Sequence, residues 1–195
     1  MFLDRILFPI TTLGPGNRLV LWTAGCSKHC RGCANPELWS HAGKRARPAS
    51  EIGQIIRNLA AQQRIDGITV TGGDPLEQPD DLLCLLEAVQ DVTEDILVYT
   101  GFTYDELCAD WQPAQLARLR ACCGVLIDGR YVEAQNVPSA VLRGSANQQI
   151  IFFREQLRPA YEAYLAKGRS IQNVYMGRQL ISVGIHNLQT KETDS

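Results

Sequence analysis

Three of the seven cysteines in this 195-residue chain fall within one short segment, GCSKHCRGC, as Cys26, Cys30 and Cys33. The spacing C-x3-C-x2-C places three thiolates on a single loop. Thiolates are soft ligands that select iron–sulfur clusters, zinc or copper(I). Three of them on a four-iron cube leave one iron without a protein ligand, and an open metal position is what chemistry needs, whereas structural sites are closed. Two other closures stand beside this reading: a fourth thiolate from Cys84, Cys108, Cys122 or Cys123, or a zinc ion completed by His29 or His41. The four scattered cysteines also suit ordinary packing positions. Lys28 and Arg31 flank the triplet, either offsetting the charge of a bound cluster or lying solvated in the loop.

A second segment with chemical content is TGGDP, residues 71–75. Gly72 and Gly73 allow a sharp turn and a close approach of backbone to a ligand. Asp74 adds an anionic acceptor suited to an ammonium group. By itself the segment is equally an ordinary strand-to-helix turn. Beside a thiolate-bound cluster, an ammonium-binding loop describes a site for an amino acid held on iron.

Both segments must be presented by regular elements, and the hydrophobic pattern supplies them. Apolar runs at 19–25, 67–71, 95–100, 124–128 and 148–153 read as five strands. Between them lie helical patterns. Ser50 is placed as an N-cap before Ile52, Ile55, Ile56 and Leu59. Pro79 opens a helix carrying Leu82, Leu85, Leu86 and Val89, and its two early aspartates suit the positive helix N-terminus. Thr103 and Glu106 form a capping box, and Pro113 starts a further helix with Leu116 and Leu119. Alternation of this kind predicts βα units around a mostly parallel sheet. Five strands are too few for a complete eight-stranded barrel, so the expected fold is α/β, a partial (βα) barrel or open curved sheet with outer helices. The expected organisation is a core over 1–153 and an extension over 154–195. The extension reads as a helix at 154–167, two strands flanking Gly177, and a frayed end at 191–195. The polar segments GCSKHCRGC, TGGDP, TGF and DGRY each follow a strand end, where parallel α/β folds bind ligands. The segment 129–147, rich in Gly, Pro, Ser and Asn, is expected to be mobile or to await a partner.

Composition bounds the rest. Apolar residues make up 45% and charged residues 21%, close to ordinary globular usage, and the net charge of −2 gives no nucleic-acid footprint. No apolar run approaches the length of a membrane span, and the N-terminus lacks the pattern of a signal peptide. Free thiols in a chain of this kind point to a reducing cytoplasm.

The order of these segments resembles the radical S-adenosylmethionine enzymes, and more closely the activating proteins of anaerobic ribonucleotide reductase. The resemblance is carried by GCSKHCRGCANPELW, with Gly32 and Asn35 at characteristic places, then TGGDPL, YTGF, LIDGRY and LRGSANQQII, and it spans 19–152. It implies that Cys26, Cys30 and Cys33 hold a [4Fe–4S] cluster whose fourth iron binds the amino and carboxylate groups of S-adenosylmethionine. Gly72, Gly73 and Asp74 would receive the amino group. Reductive cleavage would give a 5′-deoxyadenosyl radical that takes a hydrogen atom from a glycine on a large glycyl radical enzyme. An electron donor such as flavodoxin or ferredoxin is implied. Thr100, beside Tyr99 and Gly101, could contact the adenosyl group. Asp128 could stand near the target, and Arg143 could meet a carboxylate or ribose. Many radical enzymes carry glutamate where Asp74 stands, and the extension after 153 exceeds a minimal activating protein. A radical enzyme acting directly on a peptide or small molecule, and a non-enzymatic electron-transfer module, are the alternatives.

Overall fold

The computed structural model describes residues 1–187, so the end at 191–195 lies outside the described residues. One six-stranded sheet organises the chain. Its strands are β1 (Leu3–Ile10), β2 (Arg18–Thr23), β3 (Gly67–Gly72), β4 (Ile96–Tyr99), β5 (Val125–Asp128) and β6 (Gln149–Phe152), side by side in that order. β2 to β5 are parallel, while β1 and β6 run antiparallel to their neighbours. The sheet does not close. Helices α1 (Ala49–Ala60), α2 (Pro79–Val89), α3 (Tyr104–Asp110) and α4 (Pro113–Cys122) form the crossovers between the parallel strands.

Alternation along each parallel strand sorts its side chains onto two faces. Leu19 and Leu21, Ile68 and Val70, Ile96 and Val98, and Leu126 meet Ile52, Ile56, Leu82, Leu86 and Leu119 of the helices. The residues between them, Val20, Trp22, Leu97, Val125 and Ile127, point the other way and are buried as well. A parallel sheet covered on both faces reads as continuous hydrophobic runs, which is why these strands stand out in the sequence. The second face is covered by Leu142, by helix α5 (Arg158–Leu165) through Tyr161, and by the hairpin β7 (Ile171–Met176) and β8 (Gln179–Gly184) through Val183.

Three expectations need adjustment. β1 was not among the expected strands. Its sequence LDRILFPI carries charges and a proline and shows no clean period of two. Its Asp4 is paired instead with Arg5 and with Lys44, forty residues away. Helix α1 starts at Ala49 after Pro48, so Ser50 lies inside the first turn rather than at the cap. The helix expected over 154–167 is a tight turn at Glu155–Leu157 followed by the shorter α5. The capping box is present: Thr103 Oγ1 accepts from the Glu106 N–H at 3.2 Å, and the Thr103 N–H donates to Glu106 at 2.7 Å.

At the lower edge of the sheet Arg18 is fully buried. Its guanidinium donates to Asp95 Oδ2 at 2.7 Å, Thr69 Oγ1 at 2.7 Å and the Ile68 carbonyl at 2.8 Å. Tyr161 of α5 donates to the other oxygen of Asp95 at 2.7 Å. A Cβ on Gly67 would lie 2.2 Å from the Arg18 guanidinium, so glycine makes room for it.

Candidate metal and ammonium site

The cysteine loop leaves the C-terminal end of β2, and the Gly-Gly-Asp loop leaves the neighbouring end of β3. Two backbone bonds stitch them together. The Gly73 N–H donates to the Thr23 carbonyl and the Asp74 N–H to the Gly25 carbonyl, each at 2.8 Å. This contact explains both glycines. A Cβ on Gly72 would lie 2.4 Å from the Thr23 carbonyl oxygen, and one on Gly73 2.4 Å from that of Gly25. Gly72 also has φ +111°, which side chains avoid. The close approach expected of these glycines is therefore made to the chain's own cysteine loop.

Cys26, Cys30 and Cys33 are free thiols and all partly exposed. The Cys26 N–H is held by the Trp39 carbonyl at 2.9 Å and the Cys33 N–H by that of Cys30 at 3.1 Å. Gly32, at φ +73°, lets the loop turn between its last two cysteines. The Asn35 N–H donates to Cys33 Sγ at 3.4 Å. Burial, reinforced by the Asp74 and Glu77 carboxylates, pushes the Cys26 thiol above its ordinary range. Among the described residues no three Cys, His, Asp or Glu side chains converge as a single ion requires. His29 lies against Trp39 and His41 stacks on Phe2. A four-iron cluster makes a different demand, because each thiolate binds its own iron. Three free thiols on one loop, with backbone N–H support for sulfur, suit that group. Of the other cysteines, Cys122 and Cys123 are buried at the end of α4, and Cys84 and Cys108 are exposed on α2 and α3.

Asp74 is 1% exposed and its carboxylate is densely engaged. Oδ1 accepts from the Leu76 N–H at 3.0 Å and from Thr100 Oγ1 at 2.9 Å, and Oδ2 from the Gly101 N–H at 3.0 Å. Burial nevertheless holds its pKa above the ordinary value, against the lowering pull of these donors and of Lys28. The Lys28 ammonium lies 3.6 Å from Asp74 Oδ2 and 2.9 Å from Glu77 Oε1. Lys28 thus faces these carboxylates. Glu77 was not among the residues singled out from the sequence. An acid three residues after Asp74 was the only signal it offered, and its value depends on Lys28 standing opposite.

The other candidate residues, Asp128 and Arg143, are engaged by the chain itself. Asp128 receives the Tyr104 N–H at 2.8 Å on one oxygen and the Gln149 N–H at 3.0 Å on the other, which fastens β5 to the start of α3 and to β6. Arg143 donates to the Gln148 carbonyl at 3.0 Å, while its Nε is buried without a partner. The segment 129–147, expected to be mobile or to await a partner, carries hydrogen bonds within itself and to the extension. Gln148 bonds Gly129, Gly144 and Ser145, and Arg169 from the extension donates to Asn136 Oδ1 at 2.6 Å and to the Ala140 and Arg143 carbonyls. Arg31 reaches across from the cysteine loop to Glu133 at 2.9 Å.

With this geometry in hand, comparison with known proteins is direct. Residues 12–151 match the sequence model of the 4Fe-4S single cluster domain. The anaerobic ribonucleoside-triphosphate reductase-activating protein of Pasteurella multocida (strain Pm70) is 38% identical over 148 residues, covering 73% of this chain and 91% of the relative. The protein of that name from Escherichia coli (strain K12) is 36% identical over 149 residues, covering 72% and 92%. The one from Enterobacteria phage T4 is 32% identical over 153 residues, covering 75% and 91%.

Proposed function

Since the chain belongs to the family of anaerobic ribonucleoside-triphosphate reductase-activating proteins, a 4Fe–4S family, we propose that it is a radical S-adenosylmethionine activase that installs a glycyl radical on a partner ribonucleotide reductase. Cys26, Cys30 and Cys33 would hold the cluster, and Gly72, Gly73 and Asp74 would lie against the amino end of S-adenosylmethionine. When bound, these groups would supply one-electron cleavage of the sulfonium and abstraction of a hydrogen atom from a glycine Cα.

The chain's own contribution is placement. The observation that carries the reading is the double backbone stitch between the cysteine loop and the Gly-Gly-Asp loop. It holds the root of the cysteine loop against the Gly-Gly-Asp loop, with Cys26 near enough to the Asp74 and Glu77 carboxylates to feel their charge. Preorganisation of this kind lowers the entropic cost of bringing reactive groups together. Asp74 is braced by Thr100 and Gly101, so the end of β4 supports the loop at the end of β3. In the same reading, residues 1–153 form the cluster-bearing core and 154–195 an extension, of which the described part, 154–187, packs on the core. Its compartment would be the cytoplasm, and its reductant a small electron carrier such as flavodoxin or ferredoxin. No described helix is long and apolar enough to cross a membrane.

The test is anaerobic reconstitution and reduction, addition of S-adenosylmethionine and measurement of 5′-deoxyadenosine, with Cys30→Ala as control. Adding the partner reductase should give a glycyl radical signal by electron paramagnetic resonance in stoichiometric amount. Many turnovers of a small molecule without a partner would instead support an enzyme acting on its own substrate. No cleavage by a fully loaded, reduced cluster, even with the partner present, would refute both.

A further inference from the structure

Burying a charge on a strand is costly, and β1 largely buries one. Arg5 lies opposite Trp22 in the β1–β2 register, and its side chain is only 12% exposed. The guanidinium carbon stands 4.9 Å from the centroid of the Trp22 ring. Nη1 donates to Asp4 Oδ2 at 2.6 Å and lies 3.8 Å from Glu37 Oε1. Nε is buried with no partner among the described residues. An aliphatic side chain would cover Trp22 without leaving a buried donor unpaired, so packing alone does not account for arginine here. Asp4 does not require it either, because Lys44 pairs with the other Asp4 oxygen.

The remaining nitrogen leads to the cysteine loop. Nη2 donates to Asn35 Oδ1 at 3.3 Å, and the Asn35 N–H donates to Cys33 Sγ at 3.4 Å. The Asn35 carbonyl accepts the Leu38 N–H at 3.0 Å, and Leu38 is fully buried. Asn35 is thus held by its carbonyl and by its side chain while its N–H faces the sulfur. The two terminal nitrogens of one planar fork bridge Asp4 and Asn35, a geometry that an ammonium does not fix. Asp4 and Glu37 stand against the guanidinium and offset its charge, so what Arg5 passes to Cys33 is chiefly placement.

Placement of this kind matters to a cluster. A cluster gains negative charge when it is reduced, and hydrogen bonds to its sulfurs set its potential, favouring the reduced form. Groups that orient a ligand from behind tune the metal in the same way. We propose that Arg5 is a positioning residue for the cluster: through Asn35 it aims a backbone N–H at Cys33 Sγ and so raises the potential at which the cluster takes its one electron. This rests on the reading that Cys33 is a cluster ligand and that a small electron carrier supplies the electron.

The experiment is a mediated potentiometric titration of the reconstituted protein without S-adenosylmethionine, with the reduced cluster read by electron paramagnetic resonance. Wild type, Arg5→Met, Asn35→Ala and the double variant are compared at equal four-iron content. Methionine keeps an apolar stem over Trp22, and Arg5→Gln serves if that variant loads poorly. Alanine at 35 keeps the backbone N–H and removes the acceptor that Arg5 holds. Arg5→Met should lower the ratio of reduced to oxidised cluster at a given potential roughly fivefold, the worth of one ordinary hydrogen bond. Asn35→Ala should move it the same way, and Arg5→Met should add little in that background. An unchanged midpoint in Arg5→Met, or the same shift with and without Asn35, would overturn the positioning role and leave the cluster assignment standing. Cys33→Ala taking up a four-iron cluster with the wild-type midpoint would overturn the ligand reading, and the role of Arg5 with it.

Discussion

Gly72 and Gly73 hold two loops within backbone contact, and they tolerate substitution for different reasons badly. At Gly73 the obstacle is steric, because the new Cβ meets the Gly25 carbonyl at 2.4 Å. At Gly72 the same kind of clash adds to a φ of +111°. Gly73→Ala is expected to cost about 2 kcal/mol of stability by urea denaturation, in the range of overpacked sites. Gly72→Ala should cost more, since backbone strain adds about 1–3 kcal/mol. Both should also lower iron bound per chain after reconstitution, because the displaced segment is the root of the cysteine loop. Normal stability with normal iron in Gly73→Ala would show that the stitch can yield without consequence.

Turns below the sheet and loops above it are held by single side chains that join distant elements. Asp66, before β3, accepts the Asn17 N–H at 2.9 Å and Arg64 Nε at 2.8 Å, which ties the entrance of β3 to that of β2. The Asn17 backbone bond, with Arg64, holds its carboxyl below the ordinary value of 3.8. A depressed folded pKa means that the contribution is present above the unfolded value and is lost as pH falls through the folded one. Asp66→Ala should therefore cost about 1 kcal/mol near neutrality and progressively less below pH 3.8. Denaturation series at several pH values check it, and a difference that persists undiminished in acid would refute the assignment. Above the sheet, Arg169 gathers Asn136, Ala140, Arg143 and the His186 carbonyl. Arg169→Ala should raise amide exchange across 136–148 while leaving β2 to β5 protected. If exchange there is unchanged, Gln148 and Ser145 suffice to hold the segment.

At the scale of the whole molecule, the extension completes the sheet's second face. Val183 packs with Val20 and Trp22, and Tyr161 with Leu97, Val125 and Ile127, beside Ile10, Leu13, Leu38 and Leu142 of the preceding chain. The polar anchor beneath this layer is the buried set Arg18, Asp95 and Tyr161. Arg18→Ala leaves Asp95 buried without its cation and should cost about 3–5 kcal/mol. Tyr161→Phe removes one hydrogen bond and should cost only about 1 kcal/mol. Their ratio in urea denaturation weighs the Arg18 charge against the Tyr161 hydroxyl, and equal losses would mean that Asp95 depends on that hydroxyl as much as on its cation. The extension lies beyond residue 151, where the family match ends, yet it is bonded to Asp95 between α2 and β4.

Local information in the sequence was enough for the elements that local physics decides. The parallel strands are apolar on both faces, the capping box is a four-residue pattern, and three thiols on one loop stand out as a candidate ligand set without any distant partner. β1 was not legible because its charged residues find partners, Lys44 and Asn35, far along the chain. The antiparallel direction of β6 was equally hidden, since a strand's pattern is the same in either direction. At the site, Asp74 could be read as an anionic acceptor. That its oxygens would be occupied by Thr100, Gly101 and Leu76, that Lys28 would face them, and that Glu77 would share the cation, only the tertiary structure decided. The reason is physical: a carboxylate's role depends on which donors the fold brings within hydrogen-bond reach, and here most of them come from the ends of other strands.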